Sequence, residues 1–136
     1  MKLADLERVR VAIWGCGREG RAALAVLRRK FPEKELTLRC SADEKALVPA
    51  DAYLHVLAAP LDAGAFSLFD IVIKSPGISA YKSPVPEAMA AGTQFTSGTA
   101  LWFAENPRAR VVGVTGTKGK STTSAIIAHL ARALGV

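Results

Sequence analysis

The sequence predicts an α/β fold built on a parallel sheet, and three observations predict it. Strand-like runs alternate with helix-like runs along most of the chain. A glycine-rich loop, Gly15 to Gly20, separates the first strand from the first helix. A second one, Thr115 to Thr122, lies between a later strand-like run and a later helix-like run.

The first strand is read over Arg8 to Gly15, and its helix from about Arg18 to Lys30, with Ala23, Leu24, Leu27 and Phe31 on one face. Pro32 ends that helix. A second strand is expected over Leu36 to Cys40 and a third over Ala52 to Leu57. Pro60 to Phe69 reads as a loop or short helix. Asp70 to Lys74 is a short buried strand that runs into Ser75-Pro76-Gly77. Ser83 is placed to cap the next helix, Pro84 suits its first position, and Gly92 suits its C-terminal stop. Thr93 to Thr96 gives another strand. Thr99 to Glu105 gives a short helix in which Leu101, Trp102 and Phe103 supply bulk. Asn106-Pro107 breaks the chain, a strand over Arg110 to Val114 leads into the second loop, and Ser121 to Leu134 is helical. The domains are therefore drawn as 1–108 and 109–136, with no internal repeat.

Composition bounds the function. Half of the 136 residues are hydrophobic, enough for a core. No apolar run reaches the roughly 18 residues that span a bilayer. Met1 to Arg10 is charged and lacks a signal-peptide core, so a cytoplasmic protein is expected, with no membrane association. Cys16 and Cys40 make neither a disulfide framework nor a zinc site, and both are expected as thiols. The net charge of +6 is spread along the chain, and its one cluster, Arg28, Arg29 and Lys30, falls where cations suit a helix C-terminus. That argues against nucleic acid as a partner and fits small phosphorylated or carboxylate-bearing ligands.

Gly15-Cys16-Gly17-Arg18-Glu19-Gly20 is a G-x-G-x-x-G between strand and helix, which brings backbone close to a phosphate. An NAD site adds an acidic residue at the end of the second strand. That strand here ends Cys40-Ser41-Ala42, and Asp43 comes late, so a different nucleotide diphosphate is favoured. The second loop, Thr115-Gly116-Thr117-Lys118-Gly119-Lys120-Ser121-Thr122, varies the Walker pattern: Val114 stands where its first glycine belongs. Backbone N–H groups of Thr117 to Lys120 can cradle phosphate oxygens, Lys120 can meet the β/γ-phosphates, and Ser121 can hold Mg²⁺. His55, expected on a buried strand, His129, Trp14 and Trp102 read as structural residues. Ser75 and Ser79 lie in no nucleophile elbow, and no carboxylate pair or transition-metal spacing is present.

The second loop resembles the ATP loop of the Mur ligases, which build the peptide stem of the bacterial cell wall. The same loop type occurs in folylpolyglutamate synthetase. Two upstream features point to the glutamate-adding branch of the Mur ligases: the loop Gly15 to Gly20, and Asp70-Ile71-Val72-Ile73-Lys74-Ser75-Pro76-Gly77-Ile78, which is similar to that branch's turn beside the uridine. The resemblance covers the whole chain. It implies a Rossmann-like UDP-substrate domain followed by the first strand, loop and helix of a P-loop ATPase domain. It implies an ATP-dependent ligase that adds glutamate to UDP-N-acetylmuramoyl-L-alanine, with ATP and Mg²⁺ as cofactors, a role in cell shape and division, and a monomeric full-length enzyme. Carried over residue by residue, Thr115 to Thr122 would bind ATP. Lys120 would be catalytic, and Ser121, with Thr122 beside it, would hold Mg²⁺. Gly15, Gly17, Arg18, Glu19, Gly20, Ser41, Ser75, Pro76 and Gly77 would bind the UDP substrate, with backbone around Arg18 and Glu19 at the diphosphate and Gly77 near the uracil. Cys40 and Ser41 stand where the branch usually has an aspartate, and Ser97-Gly98-Thr99 where an acidic residue is common, which marks a divergent branch. The configuration of the glutamate stays open. By the same resemblance, groups needed for catalysis fall beyond Val136, so these residues alone are expected to be inactive. The rival readings are an NAD-type nucleotide-binding module, a folylpolyglutamate synthetase-like ligase and a ligand-free scaffold domain.

Overall fold

A computed structural model describes residues 1–46, 48–58 and 62–135. Five strands form one all-parallel sheet: β1 (Val11–Trp14), β2 (Leu36–Arg39), β3 (Leu54–Leu57), β4 (Ile71–Lys74) and β5 (Gln94–Thr96). Their order is β3-β2-β1-β4-β5. Val11 pairs with Leu36 on one side and Ile71 on the other, and the register continues to Trp14, opposite Arg39 and Lys74. The chain leaves β1 toward β2 and β3, then crosses to β4 on the far side of β1. The strand order thus reverses between β1 and β4, where parallel sheets open a crevice at their carboxyl ends.

Side-chain alternation along the inner strands builds a core on each face. Val11, Ile13, Leu36, Leu38, Ile71 and Ile73 pack with Ala23 and Leu27 of α1 (Arg18–Lys30). Leu101 of α5 (Gly98–Glu105) joins the same cluster. On the other face Ala12 and Val72 meet Phe66 of α3 (Ala63–Phe66) and Ala88 of α4 (Val85–Ala90). Phe66 is wholly buried, with its ring centroid 4.6 Å from Trp14 and 5.6 Å from Phe95. α2 is the short helix Ala42–Lys45. The last helix, α6 (Lys120–Ala133), has no buried residue.

Several expectations need correction. β1 begins only at Val11, after a 3₁₀ turn at Leu3–Leu6. β3 starts at Leu54 because Asp51 holds a turn: its Oδ1 accepts the Tyr53 N–H at 2.9 Å and its carbonyl accepts Leu54 N–H at 3.2 Å. Ser83 does not cap α4. Pro84 is the N-cap residue, and the Val85 N–H instead closes a turn on the Lys82 carbonyl at 3.1 Å. His55 sits exposed on an edge strand, 2.7 Å from Glu35, and Trp102 is half exposed. The expected strand over Arg110 to Val114 is not formed. A strand exists only by pairing, and among the described residues no neighbour pairs with it; Val111 and Val112 lie exposed. Of the expected loop or short helix from Pro60 to Phe69, residues 60 and 61 lie outside the described residues, and the rest contains α3.

Two charged contacts tie the sheet together. Asp70 takes the Arg10 backbone N–H and guanidinium, each at 2.7 Å, which clamps the starts of β1 and β4. Arg28, in the last turn of α1, pairs with Asp51 at 2.7 Å. It also donates to the carbonyls of Pro32 and Lys34 at 2.9 Å and of Tyr53 at 3.2 Å. One guanidinium thus holds the exit of α1 against the approaches to β2 and β3.

Arg28→Ala is expected to lower stability by about 2–3 kcal/mol in urea unfolding. Arg28→Lys should restore less than half of that, since an ammonium cannot span the same acceptors. Hydrogen bonds from the Arg10 side chain and backbone hold the Asp70 carboxyl down at about 2, from an ordinary 3.8. A depressed carboxyl stabilises the fold above its unfolded value and loses that effect as pH falls through its folded value. The melting-temperature gap between the parent and Asp70→Asn should therefore be present at pH 7 and close between about pH 4 and pH 2. It should be small, because the pair is solvent-exposed.

Candidate functional site

The structure brings together the two motifs that the sequence holds 60 residues apart. Gly15 to Gly20 leaves the carboxyl end of β1, and Ser75 to Ile78 leaves that of β4 beside it. The Ser75 N–H donates to the Trp14 carbonyl at 2.9 Å, so sheet pairing runs on into the turn. The turn closes through Ile78 N–H to the Ser75 carbonyl at 3.1 Å, and Lys74 Nζ bonds the Ile78 carbonyl at 2.9 Å.

Two glycines make this proximity possible. Gly15 has φ +105°, and a Cβ there would lie 2.4 Å from the Ser75 hydroxyl oxygen. A Cβ on Gly20 would lie 1.9 Å from the Gly15 carbonyl oxygen, so the first turn of α1 presses directly on the backbone of the loop. Gly17 differs. It is the N-cap residue of α1, its φ of −67° suits any residue, and nothing lies within 4 Å of where its Cβ would be. No side chain caps that helix start, whose N–H groups and dipole suit an anion. The Arg21 Nε bonds the Cys16 carbonyl at 2.8 Å and braces the loop. The Ser75 hydroxyl is buried against the loop without a hydrogen-bond partner. An unsatisfied buried hydroxyl beside an open helix N-terminus is a mark of a polar ligand site.

Other expected residues are placed differently. Pro76 and Gly77 are exposed on the turn. Ser41 caps α2: its hydroxyl accepts the Glu44 N–H at 3.2 Å, and its own N–H donates to the Glu44 carboxylate at 3.0 Å. Arg18 starts α1 and is exposed. The Glu19 carboxylate turns away to α5, where Oε1 accepts both the N–H and the hydroxyl of Thr99 at 3.0 Å. Sequence reasoning gave no role to Thr99; the only signal was its place at a helix start. Both cysteines are free thiols. Cys16 is buried, and burial pushes the Cys40 thiol above its ordinary pKa, away from a reactive thiolate.

The second loop stands apart. Thr115 to Thr122 is exposed, and among the described residues no hydrogen bond or ion pair joins 110–135 to 1–105. Gly116 (φ +144°) and Gly119 (φ +78°) turn the loop, and Lys120 folds back to bond the Gly116 carbonyl. Gly119 is the N-cap residue of α6 and no side chain caps that helix start either. The N–H groups, Lys120 and the Ser121 hydroxyl form a donor set that fits a nucleotide phosphate with its metal ion.

The two loop glycines should respond oppositely to a methyl group. Gly20→Ala is expected to cost more than about 2 kcal/mol in denaturant unfolding, because its Cβ meets backbone. Gly17→Ala should stay within about 1 kcal/mol of the parent.

No protein-family model matches the chain. Curated enzymes named UDP-N-acetylmuramoyl-L-alanine–L-glutamate ligase do match it along nearly its whole length. That of Xanthomonas euvesicatoria pv. vesicatoria is 51% identical over 142 residues, which cover 99% of this chain and 30% of the enzyme. That of Xylella fastidiosa (strain Temecula1) is 46% identical over 142 residues, with the same coverage. That of Salinispora tropica is 43% identical over 139 residues, 98% of this chain and 30% of the enzyme. The chain thus spans about 30% of the length of the curated relatives it matches. Identity at this level along nearly the whole chain marks it as similar to a segment of these ligases about 30% of their length, and the parallel sheet carries the glycine loop and the Ser-Pro-Gly-Ile turn at its reversal point.

Proposed function

We propose that the chain is the UDP-substrate-binding part, with the ATP-loop segment, of a cytoplasmic ligase that joins L-glutamate to UDP-N-acetylmuramoyl-L-alanine. The observation that carries this reading is the meeting of Gly15 and Ser75 at the strand-order reversal, with an uncapped helix start and an unpartnered hydroxyl beside it. The L configuration follows the names of the related enzymes. Residues 1–108 serve as the substrate domain, and 109–136 begin the ATP-binding one.

In this reading backbone N–H groups of Gly17 to Gly20 hold the diphosphate, assisted by the dipole of α1. Ser75 lies under the loop with its hydroxyl unpartnered, and Pro76 and Gly77 present an exposed, side-chain-poor edge to the base. Ser41 lies at the neighbouring strand end and borders the site, its hydroxyl and N–H both engaged with Glu44. In the second loop, Thr115 to Thr122 wraps the ATP phosphates. Lys120 leaves the Gly116 carbonyl to neutralise phosphate charge, and Ser121, with Thr122 beside it, holds Mg²⁺. ATP supplies the phosphoryl group that activates the substrate carboxylate for attack by the glutamate amine. The loop's part in such chemistry is positioning and charge stabilisation.

Calorimetric titration tests the reading, with UDP-N-acetylmuramoyl-L-alanine as ligand and NADH as control. Saturable binding of the UDP compound is expected, with loss of at least about tenfold in affinity on Gly17→Asp, which puts a like charge at the diphosphate. Binding of NADH without the UDP compound overturns the reading and returns the chain to the dinucleotide-binding class. The 136 residues alone are expected to release no ADP above background when given ATP, substrate and glutamate.

A further inference from the structure

Glu19 lies in the glycine loop, and the nucleotide reading leaves its side chain without a task. A carboxylate in the first turn of α1 lies beside the anion site, where its charge opposes a diphosphate. The structure shows where it goes. Its Oε1 accepts the Thr99 N–H and the Thr99 hydroxyl, both at 3.0 Å, across 80 residues of sequence. Gly98 makes room for it: a Cβ there would sit 3.2 Å from Glu19 Cγ and 3.3 Å from Oε1. Ser97 caps the same helix start through the Ala100 N–H at 3.1 Å, so Thr99 is satisfied from α1 and Ala100 from within the turn. The carboxylate thereby lies at the positive end of the α5 dipole, which offsets its charge toward the anion site.

We propose that Glu19 is a positioning residue, tying the first turn of α1 to the first turn of α5 and so holding the glycine loop in its phosphate-accepting form. The proposal rests on the UDP-binding reading above. Without the tie, α1 keeps its core contacts through Ala23 and Leu27, but its open N-terminus has one anchor fewer, the Arg21 bond to Cys16 remaining. A loop that must be ordered on binding binds more weakly.

The test compares Glu19→Ala, Glu19→Gln and Thr99→Val with the parent chain by amide hydrogen exchange and by calorimetric titration with UDP. Glu19→Ala loses both bonds to Thr99. It should exchange faster at Arg21 to Ala23 and at Thr99 to Leu101, and bind UDP about fivefold or more weakly, the scale of ordering a freed segment on binding. Glu19→Gln keeps the acceptor oxygen and should restore most of the affinity. Thr99→Val removes one of the two bonds and should fall between, which serves if Glu19→Ala does not fold. A folded Glu19→Ala that binds UDP as the parent does, with only a lowered melting temperature, overturns the proposal and leaves Glu19 a helix cap. A parent that binds no UDP sinks the nucleotide reading instead. Hydrogen exchange then decides the tie: acceleration confined to the two helix starts supports it, and unchanged exchange overturns it.

Discussion

The close approach of α1 to the end of β1 is the constraint on which the rest of the structure depends. Gly20 presses on the Gly15 carbonyl, and Gly15 in turn admits Ser75 at a distance no side chain would allow. Helix, strand and neighbouring turn are thus joined through backbone. From that junction α1 runs back across the sheet, burying Ala23 and Leu27, and ends where Arg28 gathers the approaches to β2 and β3. The packing of one face of the sheet therefore follows from two absent methyl groups at the other end of the helix.

Three cations near this junction and the sheet are employed on the protein itself. Lys74 holds the Ile78 carbonyl, Arg21 the Cys16 carbonyl, and Arg10 the Asp70 carboxylate at the opposite edge. What remains for an anion is backbone N–H, a helix dipole, a hydroxyl and the exposed Arg18 at the start of α1. Such a site recognises by shape and hydrogen-bond direction more than by net charge. The overall charge of +6 then acts at long range, drawing anionic ligands toward the surface without gripping them.

Much of the fold was legible because local signals agreed with one another. The helix Arg18–Lys30 matches its sequence reading at both ends, where Gly17 opens it and the chain turns out before Pro32. The strands were found but drawn too long, since apolar runs continue into turns that only side chains such as Asp51 reveal. The meeting of Gly15 with Ser75 was legible only through the family resemblance, which assigns both to one substrate; spacing alone does not show it, because it needs the crossing from β3 to β4. Nor could the tie from Glu19 to Thr99, which joins two helix starts 80 residues apart. The position of Ser41 at the end of β2 suggests a ligand contact, yet its hydroxyl answers to Glu44, three residues away. Arg110 to Val114 has a strand's composition but no neighbouring strand, and composition alone does not supply one.

A site defined by missing side chains has a consequence for drug resistance. Variation at a binding surface normally evades an inhibitor by altering the side chains it touches. Here an inhibitor seated on the Gly15 to Gly20 backbone would touch positions with little freedom to vary: Gly20 admits no Cβ, and Gly15 is held by both Ser75 and its own φ. Gly17 alone has open space around it. Among the three glycines, escape by substitution would be funnelled to Gly17, where in the proposed reading a side chain also narrows the approach to the phosphate-binding backbone.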